Sequence, residues 1–174
     1  MNNNKLKQIS TKKGDSGTAK NYSNEKYSKD HIVFEVLGTI DELSSFLGLS
    51  YHLCKLEMIK TIQKHLQRIS SQVATNSNSS NYKNLEIISD KEVSFLEKHI
   101  ESNLESKPLK NTFYLPGSEK SIAGAYLDIS RAITRRCERR IITFNKSEKR
   151  QDLNIIKMYL NRLSDLLFVL ANIS

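Results

Sequence analysis

The densest cluster of chemically capable side chains is Arg131, Arg135, Arg136, Glu138, Arg139 and Arg140. On a helix turning about 100° per residue, Arg131, Arg135 and Arg139 fall on one slowly drifting stripe with Glu138 beside it. A guanidinium presents forked N–H donors that match phosphate or carboxylate oxygens in pairs. Three readings stand: a phosphate-binding face, a solvated face whose arginines pair with Asp41, Glu42 or Glu138, and a nucleic-acid contact. Because Ile129, Ile133 and Cys137 interleave with the arginines, the stripe is expected to border the core rather than face away from it.

A second candidate is Thr11, Lys12, Lys13, Gly14, Asp15 and Gly17. Glycines allow backbone N–H groups to curl round phosphate oxygens, and lysines and hydroxyls add charge and donors. The GxxxxGK[ST] spacing of a Walker loop is missing, so a flexible basic arm is the competing reading. In Phe34 to Gly48, FEVLGTIDELSSFLG, Gly38 and Gly48 interrupt a helical pattern, where each costs about 1 kcal/mol relative to alanine. A helix starting near Thr39 would explain Gly38 and place Asp41 and Glu42 where negative charge suits the macrodipole. Asn161 adjoins the apolar stripe of the last helix, where a buried amide needs partners. Phe113 to Gly117 leads into the arginine helix and reads locally as an aromatic loop anchor.

The elements that must hold these groups are helical. From about Ile32 to Cys54 the pattern is helical, with Ile40, Leu43 and Leu47 at i, i+3 and i+7, and Ile59, Ile62, Leu66, Ile69 and Val73 follow at three- and four-residue steps. Ser89 to Glu92 has the form of a capping box, followed by Val93, Leu96, Ile100 and Leu104. Ser118 can cap a long helix through Ile122, Ala125, Ile129, Ile133 and Cys137. Leu153, Ile156, Leu160, Leu163, Leu167 and Leu170 mark the last helix. The expectation is an all-α, five-helix, ferritin-like up-down bundle over 31–174, with no convincing strand anywhere in the chain. It is preceded by an extended or looped arm over 1–30, and the polar run Asn76 to Asn81 reads as a loop.

The 174 residues suit a single domain, and a formal net charge of +8 suggests an anionic partner. Two cysteines, Cys54 and Cys137, without CxxC or Cys/His spacing, suggest neither a disulfide framework nor a zinc site. No apolar run approaches the roughly 20 residues of a membrane span, and Met1 to Ser10 lacks the apolar core of a secretory signal. The expected compartment is the cytoplasm or, after removal of a presequence, the mitochondrial matrix.

In this order, Thr11 to Gly17, Lys29 with Asp30, Glu35 to Ser45, Phe113 to Gly117, Arg131 to Arg139 and Asn161 to Phe168 resemble the ATP:cob(I)alamin adenosyltransferases of the propanediol-utilisation and mitochondrial type. RAITRRCER followed by NRLSDLLF is the specific part. The resemblance implies transfer of the 5′-deoxyadenosyl group of ATP to cob(I)alamin by a homotrimer with ATP at its subunit interfaces. Thr11, Lys12, Lys13 and Gly14 would then bind phosphates, with Lys29 nearby. Arg135, Arg136, Glu138 and Arg139 would hold triphosphate and nucleoside, and Asn161 the adenosine. Mg²⁺ would be held mainly through the phosphates, near Glu138, rather than by a protein metal site. Asp41 and Arg131 would pair across the subunit boundary, and Phe113 would press on the lower face of the corrin. The resemblance also implies a cobalamin reductase and an adenosylcobalamin-dependent mutase as partners, and neither nucleic acid nor membrane.

The sequence departs from the family pattern at several points. Ala19 stands where a threonine is usual, Ser118 where a second glycine is, Ser44 where an asparagine is, and Asp128 where a histidine is. An aspartate there is unfavourable beside bound phosphate unless it is paired. Asn172 lies near a usual arginine, and the chain stops at Ser174, where relatives usually continue. A shortened lid would weaken cobalamin binding and leave ATP binding intact, which favours a cofactor-carrying protein of the same fold as the alternative to an active enzyme.

Overall fold

The computed structural model describes residues 14–173, so Thr11, Lys12 and Lys13 lie outside the described residues. Five α-helices carry the fold: α1 (Ile32–Cys54), α2 (Glu57–Val73), α3 (Asp90–Ser106), α4 (Ile122–Glu148) and α5 (Asn154–Ile173). Two short 3₁₀ turns, Ser80–Asn84 and Gln151–Leu153, lie between them. Helix α4 packs on both α1 and α5, α3 covers the other flank of α5, and α2 covers the other flank of α1.

Apolar spacing produces this arrangement. Ile59, Ile62, Leu66, Ile69 and Val73 line one face of α2, and all five are buried. Leu153, Ile156, Leu160, Leu163, Leu167 and Leu170 are likewise buried along the last helix and its entry turn. Each such side chain contributes about 1.5–3 kcal/mol when removed from water. A polar pair is embedded among them: His65 Nδ1 lies 3.1 Å from Tyr159 OH, and burial pushes the His65 pKa down.

Local chemistry sets the helix ends. The Ser89 hydroxyl and the Glu92 carboxylate form the expected capping box at α3. Helix α1 ends at Lys55, whose left-handed conformation (φ 55°) turns the chain after two residues into α2. The long helix starts later than expected. Ser121, not Ser118, caps α4, its hydroxyl accepting from Gly124 N at 2.9 Å, while Ser118 Oγ turns back to donate to Leu115 O. Gly124 is required there, because a Cβ would stand 2.6 Å from the Ala171 carbonyl of α5.

The expectation of no strand needs correction. Strands β1 (Thr18–Lys20) and β2 (Lys26–Ser28) form an antiparallel hairpin with Ala19 opposite Tyr27. Three-residue strands are too short to show periodicity, so the sequence carried no signal for them. Both cysteines lie in helices. Cys137 is fully buried, and its thiol is pushed up to about 12 by desolvation. No described helix is long and apolar enough to cross a membrane.

Candidate active site on the arginine helix

The arginines of α4 do not act as one row. Ile133, Thr134, Cys137 and Ile141 face the core, and helical geometry then places Arg131 at one edge of that buried face, Arg140 at the other, and Arg135 and Arg139 outward. Arg140 donates to Thr39 Oγ1 at 2.9 Å and to Glu35 O at 3.0 Å, and it also pairs with the Glu35 carboxylate. One turn earlier, Arg136 pairs with Glu42. Helices α1 and α4 run antiparallel, so carboxylates seven residues apart meet arginines four apart. At the opposite edge, Arg131 Nε donates to Asp128 Oδ1 at 2.6 Å.

Arg135 and Arg139 have no carboxylate partner among the described residues. Arg139 only returns a hydrogen bond to Arg135 O, at 3.1 Å, and both side chains are exposed. The expectation that the whole stripe borders the core is therefore corrected. Three arginines are braced at its edges, and two stand clear as unneutralised cations. Glu138 is half-buried beside them without an ion-pair partner among the described residues. Ile129, read as a core residue, is 42% exposed and lies on the outward face with Ile122 at 69%.

A cleft of ≈ 440 Å³ opens beside Arg131 and Arg135, with Ile100, Leu104, Leu109 and Phe168 as apolar walls and Ser164 and Asp165 as polar ones. Asn161 precedes this wall by one turn. It is half-buried, and its Oδ1 accepts from Arg162 Nη1 at 3.1 Å. Phe113 sits on the loop before α4 at 86% exposure. That loop is anchored by its neighbour: the Tyr114 ring meets Phe168 edge-on at 5.7 Å, and its hydroxyl accepts from Lys110 N at 2.8 Å. With Tyr114 turned inward, Phe113 and Leu115 on either side are presented to solvent.

On the hairpin, Gly14 and Lys29 come together. A Cβ on Gly14 would lie 2.8 Å from Lys29 Nζ. Lys29 N donates to Gly17 O at 2.9 Å, and Gly17 N to Gly14 O at 3.2 Å. Gly17 is left-handed at φ 74°, a conformation glycine adopts without steric cost. A tight glycine loop thus has an ammonium lying on it.

Helix α1 spans Ile32–Cys54, as its apolar pattern indicates, so the alternative start near Thr39 does not hold; Asp41 and Glu42 lie well inside the helix and the macrodipole does not explain them. Glu42 is explained by Arg136. Gly38 is interior, with open space where a Cβ would be, and it borders a ≈ 300 Å³ groove with Glu35, Thr39 and Arg140. Asp41 is exposed on the opposite side, in a ≈ 520 Å³ groove with Ser44, Lys60 and Lys64 of the α1–α2 pair. Within one chain it does not meet Arg131. The sequence reading missed Asp128 as the partner of Arg131 and Glu35 as the partner of Arg140. The three-residue spacing of the first pair was a usable signal, whereas the second required the helix pairing.

These features define a class of protein: an antiparallel helical bundle with a cationic helix face, a neighbouring apolar cleft and a glycine–lysine loop. The sequence profile of the cobalamin adenosyltransferases matches residues 9–174, and the chain belongs to that family. It is 36% identical over 180 residues to corrinoid adenosyltransferase MMAB of Bos taurus, covering 96% of this chain and 71% of that protein. Corrinoid adenosyltransferase of Bacillus subtilis is 35% identical, over 94% of this chain and 84% of its own length. Among solved structures, a variant PduO-type ATP:corrinoid adenosyltransferase from Lactobacillus reuteri, complexed with cobalamin and ATP, superposes with a TM-score of 0.83. Its sequence identity is 25%, over 94% of this chain and 89% of that one.

Proposed function

We propose that this chain carries out ATP-dependent adenosylation of cobalamin, transferring the 5′-deoxyadenosyl group to cob(I)alamin and releasing triphosphate. The near-complete match to cobalamin adenosyltransferases over residues 9–174 carries the assignment. The cobalt(I) of the substrate supplies the electron pair of the new Co–C5′ bond. The C5′–O bond breaks, and its pair leaves on the triphosphate. A nucleophile of this strength needs no activating base. The protein's tasks are alignment and stabilisation of charge on the leaving group.

The geometry supports the following roles. Arg135 and Arg139, exposed and without carboxylate partners among the described residues, are the arginines of α4 left for triphosphate oxygens; Arg136, engaged by Glu42, acts at the margin of that site. Gly14 and Lys29, with Thr11, Lys12 and Lys13, take the remaining phosphate contacts. Magnesium enters with the nucleotide. It would be held mainly through phosphate oxygens and water, with Glu138 as the adjacent carboxylate. Asn161 contacts adenosine. Arg131, pre-set by Asp128 through Nε, keeps its terminal nitrogens for Asp41 of a second copy. The exposed Ile122, Ile129 and Leu115 suit burial between copies in a trimer. Phe113 presses on the lower corrin face, excludes the lower axial ligand, and so eases reduction of cobalt(II).

The pairing of Asp128 with Arg131 answers the concern raised by an aspartate near the phosphates, because its charge is already compensated. The nucleic-acid reading loses ground for a related reason: three of the helix's arginines are engaged by carboxylates of the same chain. Anaerobic incubation with ATP and cob(I)alamin, followed optically, should yield adenosylcobalamin and one triphosphate per turnover. ATP binding without adenosylcobalamin would reject the enzyme and favour a cofactor carrier.

A further inference from the structure

The glycine–lysine loop is carried by a hairpin whose other end is fastened to the bundle. The hairpin turn first closes on itself: Glu25 N donates to Asn21 Oδ1 at 2.9 Å, and Asn21 Nδ2 donates to Glu25 Oε2 at 2.6 Å. The turn then docks on the segment leaving α2. Tyr22 N donates to Ala74 O at 2.9 Å. Asn76 N donates to Ser23 Oγ at 2.8 Å, and Asn76 Nδ2 donates to Glu25 Oε1 at 2.6 Å. Asn76 thus commits its main-chain and side-chain donors to two residues of the turn. Hydrogen bonds from Asn76 and Asn21 hold the Glu25 carboxyl below its usual pKa, so the acceptor stays charged.

The receiving side is itself rigidly built. Arg150 is 9% exposed; it donates to Gln72 O at 3.0 Å and to Asp152 Oδ2 at 2.8 Å. Tyr82 OH donates to the same Asp152 at 2.7 Å and accepts from Gln72 Nε2 at 3.1 Å. The end of α2 therefore has little freedom. The hairpin does: its ladder is three residue pairs long, and a two-stranded ribbon of that size is marginal alone.

We propose that Asn76, acting through Ser23 and Glu25, is a positioning residue for nucleotide binding: it fastens the hairpin turn to α2, so that the Gly14–Gly17 loop and Lys29 are in place before ATP arrives. The inference rests on the phosphate-binding role proposed above for that loop. A segment ordered beforehand spares the cost of ordering it on binding, so the clamp acts on affinity for ATP rather than on the chemical step.

In the full chain, Asn76→Ala should raise KM for ATP about tenfold, the scale of one hydrogen bond to a charged group. The kcat at saturating ATP should stay within about twofold, since no group touching the nucleotide is removed. Limited proteolysis without ATP should cut within residues 14–30 faster than in the wild type, and ATP should restore protection. Asn76→Asp, which sets a carboxylate against Glu25, should be at least as damaging. Combining it with Glu25→Gln restores an amide–carboxylate bond with donor and acceptor exchanged, and should recover most of the affinity. Unchanged KM and unchanged cleavage in Asn76→Ala would overturn the proposal, as would a fall in kcat with KM unaltered. A wild-type chain that is not saturated by ATP would instead overturn the underlying reading of the loop, and the cleavage rates would still decide whether Asn76 holds the hairpin.

Discussion

The Lys29 ammonium lies against the backbone of Gly14, so close that a Cβ on the glycine would stand 2.8 Å from Nζ and 3.0 Å from Cε. The two residues are fifteen positions apart, and the hairpin closes that distance. A lysine folded against a glycine loop places one flexible ammonium beside the backbone, an arrangement suited to an anion.

Gly14→Ala should disturb that contact and little else, because the atom met is the far end of a flexible side chain. The expected result is a rise of roughly three- to tenfold in KM for ATP, the scale of one weakened charge-assisted contact, with an unchanged melting temperature. A calorimetric titration with ATP alongside thermal unfolding would separate the two effects.

Arg135 and Arg136 are adjacent in sequence but should differ in consequence. On the proposed leaving-group role, Arg135→Ala removes a cation that has no carboxylate partner among the described residues, and it should lower kcat by about a hundredfold or more. Arg136→Ala breaks an exposed pair with Glu42; it should cost less than about 1 kcal/mol of stability and leave turnover within about threefold. Steady-state kinetics on both variants, with denaturant melts, tests the contrast.

Phe113 is 86% exposed among the described residues, so Phe113→Ala should leave thermal stability unchanged. It should slow turnover that begins from cobalt(II) far more than turnover supplied with cobalt(I). The optical signature of four-coordinate cobalt(II), sought with ATP and enzyme present, should be lost in the variant. Equal slowing in both assays would remove Phe113 from the reduction step.

Glu92 governs an acid transition. Burial raises its pKa, but hydrogen bonds from Ser89 and the Arg68 guanidinium outweigh burial and bring it to about 2, against an ordinary value of 4.5. The folded pKa is the depressed one, so the stabilisation is full above pH 4.5 and is lost as pH falls towards 2. Glu92→Gln should cost roughly 2–3 kcal/mol near neutral pH, and stability curves of variant and wild type should converge as the pH drops through that window. Parallel curves would show that the carboxylate is not responsible.

Most of the helical framework was legible in the sequence, because burial imposes a spacing that apolar residues must satisfy. Leu43 and Leu47, the run from Ile59 to Val73, and the last helix from Leu153 to Leu170 all read directly. The Ser89 to Glu92 capping box was also legible, since both of its bonds lie within four residues. Errors arose where spacing or residue type alone did not decide a residue's neighbours. Ile129 has the spacing of a core residue and lies on the outer face of α4. Ser118 has the chemistry of a cap and is displaced by Ser121.

The candidate site divides in the same way. Residue types alone marked Arg131 to Arg140, Asn161 and the glycine loop as candidates, because charges and donors suited to an anion are a matter of composition, whereas Phe113 entered only through the family resemblance. Which arginines are free for the anion was not written in the sequence. That depends on the antiparallel pairing of α1 with α4, which brings Glu42 to Arg136 and Glu35 to Arg140 and leaves Arg135 and Arg139 without a carboxylate partner among the described residues. Electrostatic pairing acts over a few ångströms, and only the tertiary structure decides which charges come that close.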